Sequence, residues 1–176
     1  GSTLRIRSRF LASPQDPWTA SLSGPFNLYN ITAVVALSTT LGLPEESLRA
    51  AVASCPPVPG RLEPVHGEKG ITVFVDSAHT DDALRNVLNA LRALKPSRLS
   101  VVFGCGGDRD TGKRPRMAKA ACELADRVCI TSDNPRSEDP DAIIRQVYAG
   151  VKGAAAEVTC VTDRREAINE AVRTTI

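Results

Sequence analysis

No stretch of this sequence approaches the eighteen or so consecutive apolar residues needed to cross a bilayer. Its first residues also lack a charged segment followed by an apolar one, so neither a membrane span nor a leader is expected. An excess of one charge is missing too. The 22 basic and 20 acidic residues leave a net charge of +2, which argues against a broad nucleic-acid-binding surface and confines any anion site to a local cluster. The five cysteines (Cys55, Cys105, Cys122, Cys129, Cys160) are odd in number and form no Cys-x-x-Cys pair. Reduced, mostly buried thiols in a cytosolic protein are therefore expected, rather than a disulfide framework or a zinc site. Internal repeats and low-complexity segments are absent, as are the Walker order Gly-x-x-x-x-Gly-Lys-Ser/Thr and the Gly-x-Gly-x-x-Gly fingerprint.

What remains is a chain of 176 residues, 42% hydrophobic, able to bury a substantial core as one domain plus part of another. Thr3–Leu11 alternates Leu4, Ile6 and Phe10 with Arg5, Arg7 and Arg9, the pattern of an exposed or edge strand, and Trp18–Leu22 is a candidate partner. Ile31–Leu41 has the Ala, Val and Leu content of a buried helix ending at Gly42, and Pro44–Val52 opens with Pro and two acids as a second helix does. Three prolines and a glycine in Cys55-Pro-Pro-Val-Pro-Gly60 then end that helix and stiffen an extended connection.

Beyond it the pattern becomes regular. Strands are predicted at Ile71–Val75, Leu99–Phe103, Val128–Thr131 and Glu157–Val161, and helices at Asp82–Leu94, Met117–Ala125, Asp139–Val151 and Arg164–Val172. Such alternation predicts an α/β fold, a doubly wound, mainly parallel Rossmann-like sheet with helices on both faces. The polar clusters that follow its strands stand where such sheets bind ligands.

Three clusters are candidates. In Gly104–Pro115 the glycines permit a tight turn that presents backbone N–H groups, and Arg109, Lys113 and Arg114 add cationic donors suited to phosphate or carboxylate. A solvated basic turn is the alternative, with Asp108 and Asp110 pairing with their arginine neighbours. Asp133-Asn134-Pro135-Arg136 combines an amide, a stiffening proline and a guanidinium that grips a carboxylate through two parallel bonds, a set able to read an amino acid or simply to form a capped turn. Asp76-Ser-Ala-His79 offers a carboxylate for a ribose and an imidazole for a base, and Arg61 after the proline connection could reach a phosphate. Alone, His79 and Arg61 would read as structural and surface residues.

Taken together, Gly24-Pro-Phe-Asn-Leu-Tyr-Asn30, Val58-Pro-Gly-Arg-Leu-Glu63, Val75-Asp-Ser-Ala-His-Thr80, Phe103-Gly-Cys-Gly-Gly-Asp-Arg-Asp110 with Lys113-Arg-Pro115, and Asp133-Asn-Pro-Arg136 resemble the motifs of the Mur ligases in order and approximate spacing. The likeness is to the members that add diaminopimelate, and it runs from about Thr3 onward. It implies an ATP-dependent, amide-forming step of cytoplasmic peptidoglycan precursor synthesis, with ATP and Mg2+ as cofactors and a usually monomeric enzyme. ATP phosphorylates the D-glutamate side-chain carboxylate of UDP-MurNAc-L-Ala-D-Glu, the amine of meso-diaminopimelate attacks the acyl phosphate, and phosphate leaves.

By this resemblance, residues 3–55 are the last part of a central ATP-binding domain, 56–60 a linker, and 61–176 an amino-acid-binding domain that stops before its last strands. Arg109, Asp133, Asn134, Pro135 and Arg136 match the diaminopimelate positions, with Arg136 expected to be buried. Arg61 would face ATP phosphates, Asp76 the ribose, and Asn30 and His79 the adenine region. No catalytic residue and no metal ligand falls within the chain, and the P-loop domain is expected upstream of it. Ser77 and Asp81 depart from the family's usual tyrosine and proline at the adenine side. The alternatives are a non-catalytic, Mur-ligase-like binding module, or a tail domain like that of folylpolyglutamate synthetase, against which Asp133–Arg136 speaks.

Overall fold

The computed structural model describes residues 2–6, 11, 16–22, 24–66 and 70–175, arranged as two compact units, Gly1–Glu63 and Pro64–Ile176. In the first unit, β1 (Ser2–Leu4) pairs antiparallel with β2 (Trp18–Ala20), placing Leu4 opposite Trp18. The predicted edge strand is thus present at its start, while Arg7, Arg9 and Phe10 lie outside the described residues. Two helices follow, α1 (Pro25–Thr40) and α2 (Glu45–Ser54).

Helix α1 begins six residues before the predicted start. Gly24 takes a left-handed φ of 97°, and Pro25 enters in the first turn, where its fixed φ suits the helix and its missing N–H is not needed. Its end is as expected. Gly42, at φ 80°, donates to Thr39 O and Leu43 N–H donates to Ser38 O, the paired bonds of a Schellman motif.

The expectation of a buried helix is corrected. Ile31 and Val35 join Ile6, Leu11, Trp18, Ala20, Leu48 and Val52 in a core, but Tyr29 and Leu37 are 79% and 63% exposed. The apolar residues of α1 surround the helix instead of forming one stripe, so a single packed face leaves the rest in solvent. Arg49 closes the core from outside. It pairs with Glu45 at 2.7 Å and lays its guanidinium 4.4 Å from the centre of the Trp18 ring.

The second unit contains β4 (Thr72–Val75), α3 (Asp81–Arg92), β5 (Ser100–Phe103), α4 (Lys113–Leu124), β6 (Arg127–Thr131), α5 (Pro140–Tyr148), β7 (Glu157–Val161) and α6 (Arg164–Thr175). The strands β5, β6 and β7 form a parallel sheet in that order, with Val101 beside Val128 and Val128 beside Val158. Leu84 and Leu88 of α3, Met117, Ala118 and Ala121 of α4, and Ile143, Ile144 and Val147 of α5 pack with Phe103, Val128 and Ile130 in one core. The alternate residues of the strands look the other way, towards α6, where Cys129 and Thr159 share a small space with Ala171 and Thr174. Helices therefore cover both faces, as an α/β fold requires.

One strand departs from the predicted sheet. β4 pairs with β3 (Glu63–His66) in a separate two-stranded sheet, so three described strands make up the parallel one. β3 lies close before β4 in the chain and supplies the backbone partners for one of its edges. Among the described residues no helix is long and apolar enough to cross a membrane.

Candidate functional site

The ends of β5 and β6 lead into two loops, residues 104–112 and 132–139, and the two are bonded to each other. Gly107 N–H donates to Asn134 O at 2.9 Å, and Arg136 Nη1 donates back to Gly107 O. So close an approach needs glycine. A Cβ on Gly107 would stand 1.9 Å from Pro135 O, and one on Gly104 would stand 2.4 Å from Thr131 O. Two side-chain-bearing residues at this junction, Asp108 and Arg136, hold left-handed φ values of 52° and 50°. Such conformations are sparsely populated by residues other than glycine and persist where the surroundings over-determine them.

Those surroundings are charged and interlocked. Asp108 accepts from Ser137 Oγ at 2.7 Å and from Ser137 N–H at 3.2 Å, while Asp108 N–H donates to Glu138 Oε1 at 2.6 Å. Both oxygens of Glu138 also take a nitrogen of Arg114, each at 2.8 Å. Arg114, on the first turn of α4, is wholly buried and donates further to Gln146 Oε1 at 2.7 Å and Gly106 O at 3.2 Å. Its Nε has no partner among the described residues. The guanidinium, with the Asp108 N–H, holds the Glu138 carboxyl down at about 2, against its ordinary 4.5. Hydrogen bonds from Ser137 likewise hold Asp108 below the usual carboxylate range, and burial pushes the Cys105 thiol up.

Three expectations about these residues change. Of the cationic donors Arg109, Lys113 and Arg114, the structure uses Arg114 internally and bonds Lys113 Nζ to His79 O at 2.9 Å. Arg109 stays exposed, with no hydrogen bond or ion pair among the described residues. Asp108 pairs with Ser137 instead of an arginine neighbour, and Asp110 accepts from Gly112 N–H at 2.8 Å and lies 3.5 Å from Arg116. Arg136 is exposed, not buried: Nη1 is held by Gly107 O and the side chain remains open to solvent.

Arg109, Asp133, Asn134, Pro135 and Arg136 thus sit on two loops that the structure joins. Asn134 Oδ1 caps Arg136 N–H at 3.2 Å, and Pro135 O accepts from Glu138 N–H at 3.0 Å. Asp133 borders a cavity of about 300 Å³ that also reaches Asp76, His79, Gly104 and Arg164. The β4–α3 connection brings the first two there. Asp76 Oδ1 accepts from Ala78 N–H at 2.8 Å, and His79 Nδ1 lies 3.0 Å from Ser77 O. A carbonyl only accepts, so this contact places a proton on Nδ1. Thr80 caps α3, accepting from Ala83 N–H at 3.2 Å. Asn30 and Arg61, both exposed, belong to the first unit: Asn30 lies on α1 and Arg61 follows the turn in which its N–H donates to Val58 O.

The sequence reading missed Ser137 and Glu138. The one signal for them was their place directly after Arg136, since the partners Asp108 and Arg114 lie more than twenty residues away.

The sequence and fold are shared with known proteins. A family model described as "Mur ligase, glutamate ligase domain" matches residues 60–176. A UDP-N-acetylmuramoyl-L-alanyl-D-glutamate--2,6-diaminopimelate ligase of Thermosynechococcus vestitus is 47% identical over 155 residues, covering 87% of this chain and 31% of that protein. The ligase of the same name from Synechococcus elongatus is 49% identical over 157 residues, covering 89% and 31%. A solved structure of such a ligase superposes with a TM-score of 0.61 at 38% identity, over 88% of this chain and 32% of that one. The chain spans about a third of the length of the curated relatives it matches.

Proposed function

This chain belongs to the Mur ligase family, and from that premise we propose that it is the amino-acid-binding part of an ATP-dependent ligase that joins meso-diaminopimelate to UDP-N-acetylmuramoyl-L-alanyl-D-glutamate. The observation that supports the reading is the junction of the two strand-end loops, where Gly107 is bonded to Asn134 and Arg136, on the same loops that carry Arg109 and Asp133. In this reading residues 3–55 are the last part of a central ATP-binding domain, 56–60 a linker and 61–176 the amino-acid-binding domain.

The chemistry of the substrate suits the donors. meso-Diaminopimelate differs from lysine by one distal carboxylate, and Arg136 keeps guanidinium N–H groups for it beyond the nitrogen spent on Gly107 O. Arg109 and the Asn134 amide supply further donors, and the Asp133 carboxylate accepts from an ammonium. Pro135 fixes the turn that presents them. Lysine forgoes these bonds, and because the exposed guanidinium of Arg136 can turn to water instead, the difference is about 0.2–1 kcal/mol, or up to roughly 5-fold in affinity. For the nucleotide, the family resemblance assigns Asp76 to the ribose, His79 and Asn30 to the adenine, and Arg61 to the phosphates.

ATP would activate the D-glutamate carboxylate as an acyl phosphate, which the amine held here attacks. Among the described residues no group of three or more His, Cys, Asp and Glu is placed to hold a metal ion. The work of this chain is to bind and orient the amine.

Calorimetric titration of the chain tests the assignment. Binding of meso-diaminopimelate should exceed that of lysine and fall to the lysine level in Arg136→Ala. Equal affinity for the two amino acids in the wild type would overturn the carboxylate-reading role. A coupled assay with ATP, the nucleotide dipeptide and diaminopimelate should show no turnover by this chain alone, and turnover when it is joined to a P-loop domain.

A further inference from the structure

The amino-acid reading names the residues that face the substrate but not what keeps two exposed arginines on separate loops in one geometry. Arg109 and Arg136 are both exposed, and among the described residues neither is fixed by an ion pair. Behind them stands a reciprocal arrangement. Asp108 on the first loop holds both the hydroxyl and the N–H of Ser137 on the second, and Glu138 on the second holds the N–H of Asp108 on the first. Arg114 anchors the pair to α4, gripping Glu138 with two nitrogens and reaching the first loop again at Gly106 O.

We infer that Arg114, Glu138, Asp108 and Ser137 are positioning residues: together they lock the two strand-end loops into one unit and so set the spacing of Arg109 and Arg136 that selects diaminopimelate over lysine. The inference rests on the amino-acid reading for its substrate, but the lock itself rests on geometry alone. Three features favour it over an ordinary surface network. Arg114 is fully buried, a location where a charge persists only when paired, and both of its terminal nitrogens are taken up, by Glu138, Gln146 and Gly106 O. Its contact with Glu138 is bidentate, which fixes orientation as well as distance. The two left-handed residues, Asp108 and Arg136, lie at the locked junction, with Asp108 itself a member of the lock and Arg136 directly before Ser137.

The lock remains closed through the pH range in which an enzyme works, since the Glu138 carboxyl titrates at about 2. Its role is therefore fixed positioning, not a pH switch. Removing it should loosen the loops without touching any group that contacts the amino acid.

The test uses this chain with meso-diaminopimelate and lysine as probes, and amide hydrogen exchange as a second readout. In Ser137→Ala and in Arg114→Lys, the Gly107 and Asp108 amides should exchange at least about tenfold faster, with the β6 amides unchanged, and the diaminopimelate-to-lysine affinity ratio should shrink at least about threefold. Ser137→Thr, which keeps the hydroxyl, should restore both. A loss of overall folding would lower both affinities together and leave their ratio unchanged, so the ratio separates positioning from stability. Unchanged exchange at Gly107 and Asp108 overturns the lock. Faster exchange with an intact ratio overturns its positioning role. Faster exchange in a chain whose wild type binds neither amino acid supports the lock and overturns the substrate reading instead.

Discussion

Replacing Arg114 by Met should cost far more than its position in a run of basic residues suggests. The guanidinium is fully buried and makes four hydrogen bonds, two to Glu138 at 2.8 Å, one to Gln146 at 2.7 Å and one to Gly106 O at 3.2 Å. Breaking a fully buried ion pair by removing one partner typically costs about 3–5 kcal/mol, because the other charge is left without compensation. Here the remaining carboxylate is 27% exposed and can rehydrate, and Met fills the volume of the arginine stem, so the loss should lie near or below the low end, at about 2–3 kcal/mol. A unit of roughly a hundred residues unfolds with an entropy of about 0.2 kcal/mol/K, which converts that loss into a fall in Tm of about 10–15 °C. Far-UV circular dichroism against temperature measures it, with a urea titration to show a lower midpoint at constant slope. Arg116→Met is the internal comparison. Its contacts to Asp81 and Asp110 are both 3.5 Å and exposed, so its effect should stay within about 0.5 kcal/mol. If Arg114→Met melts within about 2 °C of the wild type, or no lower than Arg116→Met, the buried pair contributes nothing to stability and the reasoning fails.

Two further outcomes follow from the same junction. Gly107→Ala would place a Cβ 1.9 Å from Pro135 O, forcing the loops apart, and should cost about 1–3 kcal/mol and weaken diaminopimelate binding roughly tenfold. Gly153→Ala is strained by its backbone φ of 74°, with nothing within 4 Å of the new Cβ, and stands between α5 and β7 at the opposite ends of the strands, so it should lose stability and keep the diaminopimelate-to-lysine ratio; equal loss of the ratio in both would refute a local effect. Acid should destabilise the fold in a defined window. The Glu138 carboxyl is held at about 2 against an ordinary 4.5, and Asp108, Asp126 and Glu157 are also held low by their hydrogen bonds. Lowered carboxylates contribute stability that is complete above their unfolded values and lost as pH falls through the folded ones. Urea midpoints should therefore be insensitive to these groups above about pH 5 and fall steadily from there to about pH 2, less steeply in Glu138→Gln; a flat profile down to pH 2.5 would contradict the assignment.

Much of the fold could be read from local pattern. Helix α3 shows Leu84, Leu88 and Leu91 at helical spacing behind Thr80 and two acids, and the structure caps and buries it accordingly. Strand β7 keeps the predicted bounds. The misplaced helix starts and the missed strand share a cause, which is proline. Pro25 and Pro115 look like loop residues, yet both sit in the first turn of a helix, so α1 and α4 begin earlier than the pattern suggests. Pro64 hides β3, and without β3 the sequence assigns β4 to the wrong sheet.

The candidate site was legible in a different sense: its residue types pointed to carboxylate recognition, but its division of labour did not show. Arg109, Arg114 and Arg136 have the same chemistry, and no local property of the sequence separates them. What separates them is the position of acceptors. Arg114 meets both oxygens of Glu138 from 24 positions away, Arg136 meets one carbonyl from 29 positions away, and Arg109 meets none among the described residues. The guanidinium with the most partners is withdrawn into the structure, and those with fewer partners remain available to a ligand. That ordering depends on contacts between two strand ends, which form only once the parallel sheet has brought them side by side. It also predicts how the three will respond to mutation: loss of stability should dominate for Arg114, and loss of carboxylate selectivity should dominate for Arg136 and Arg109.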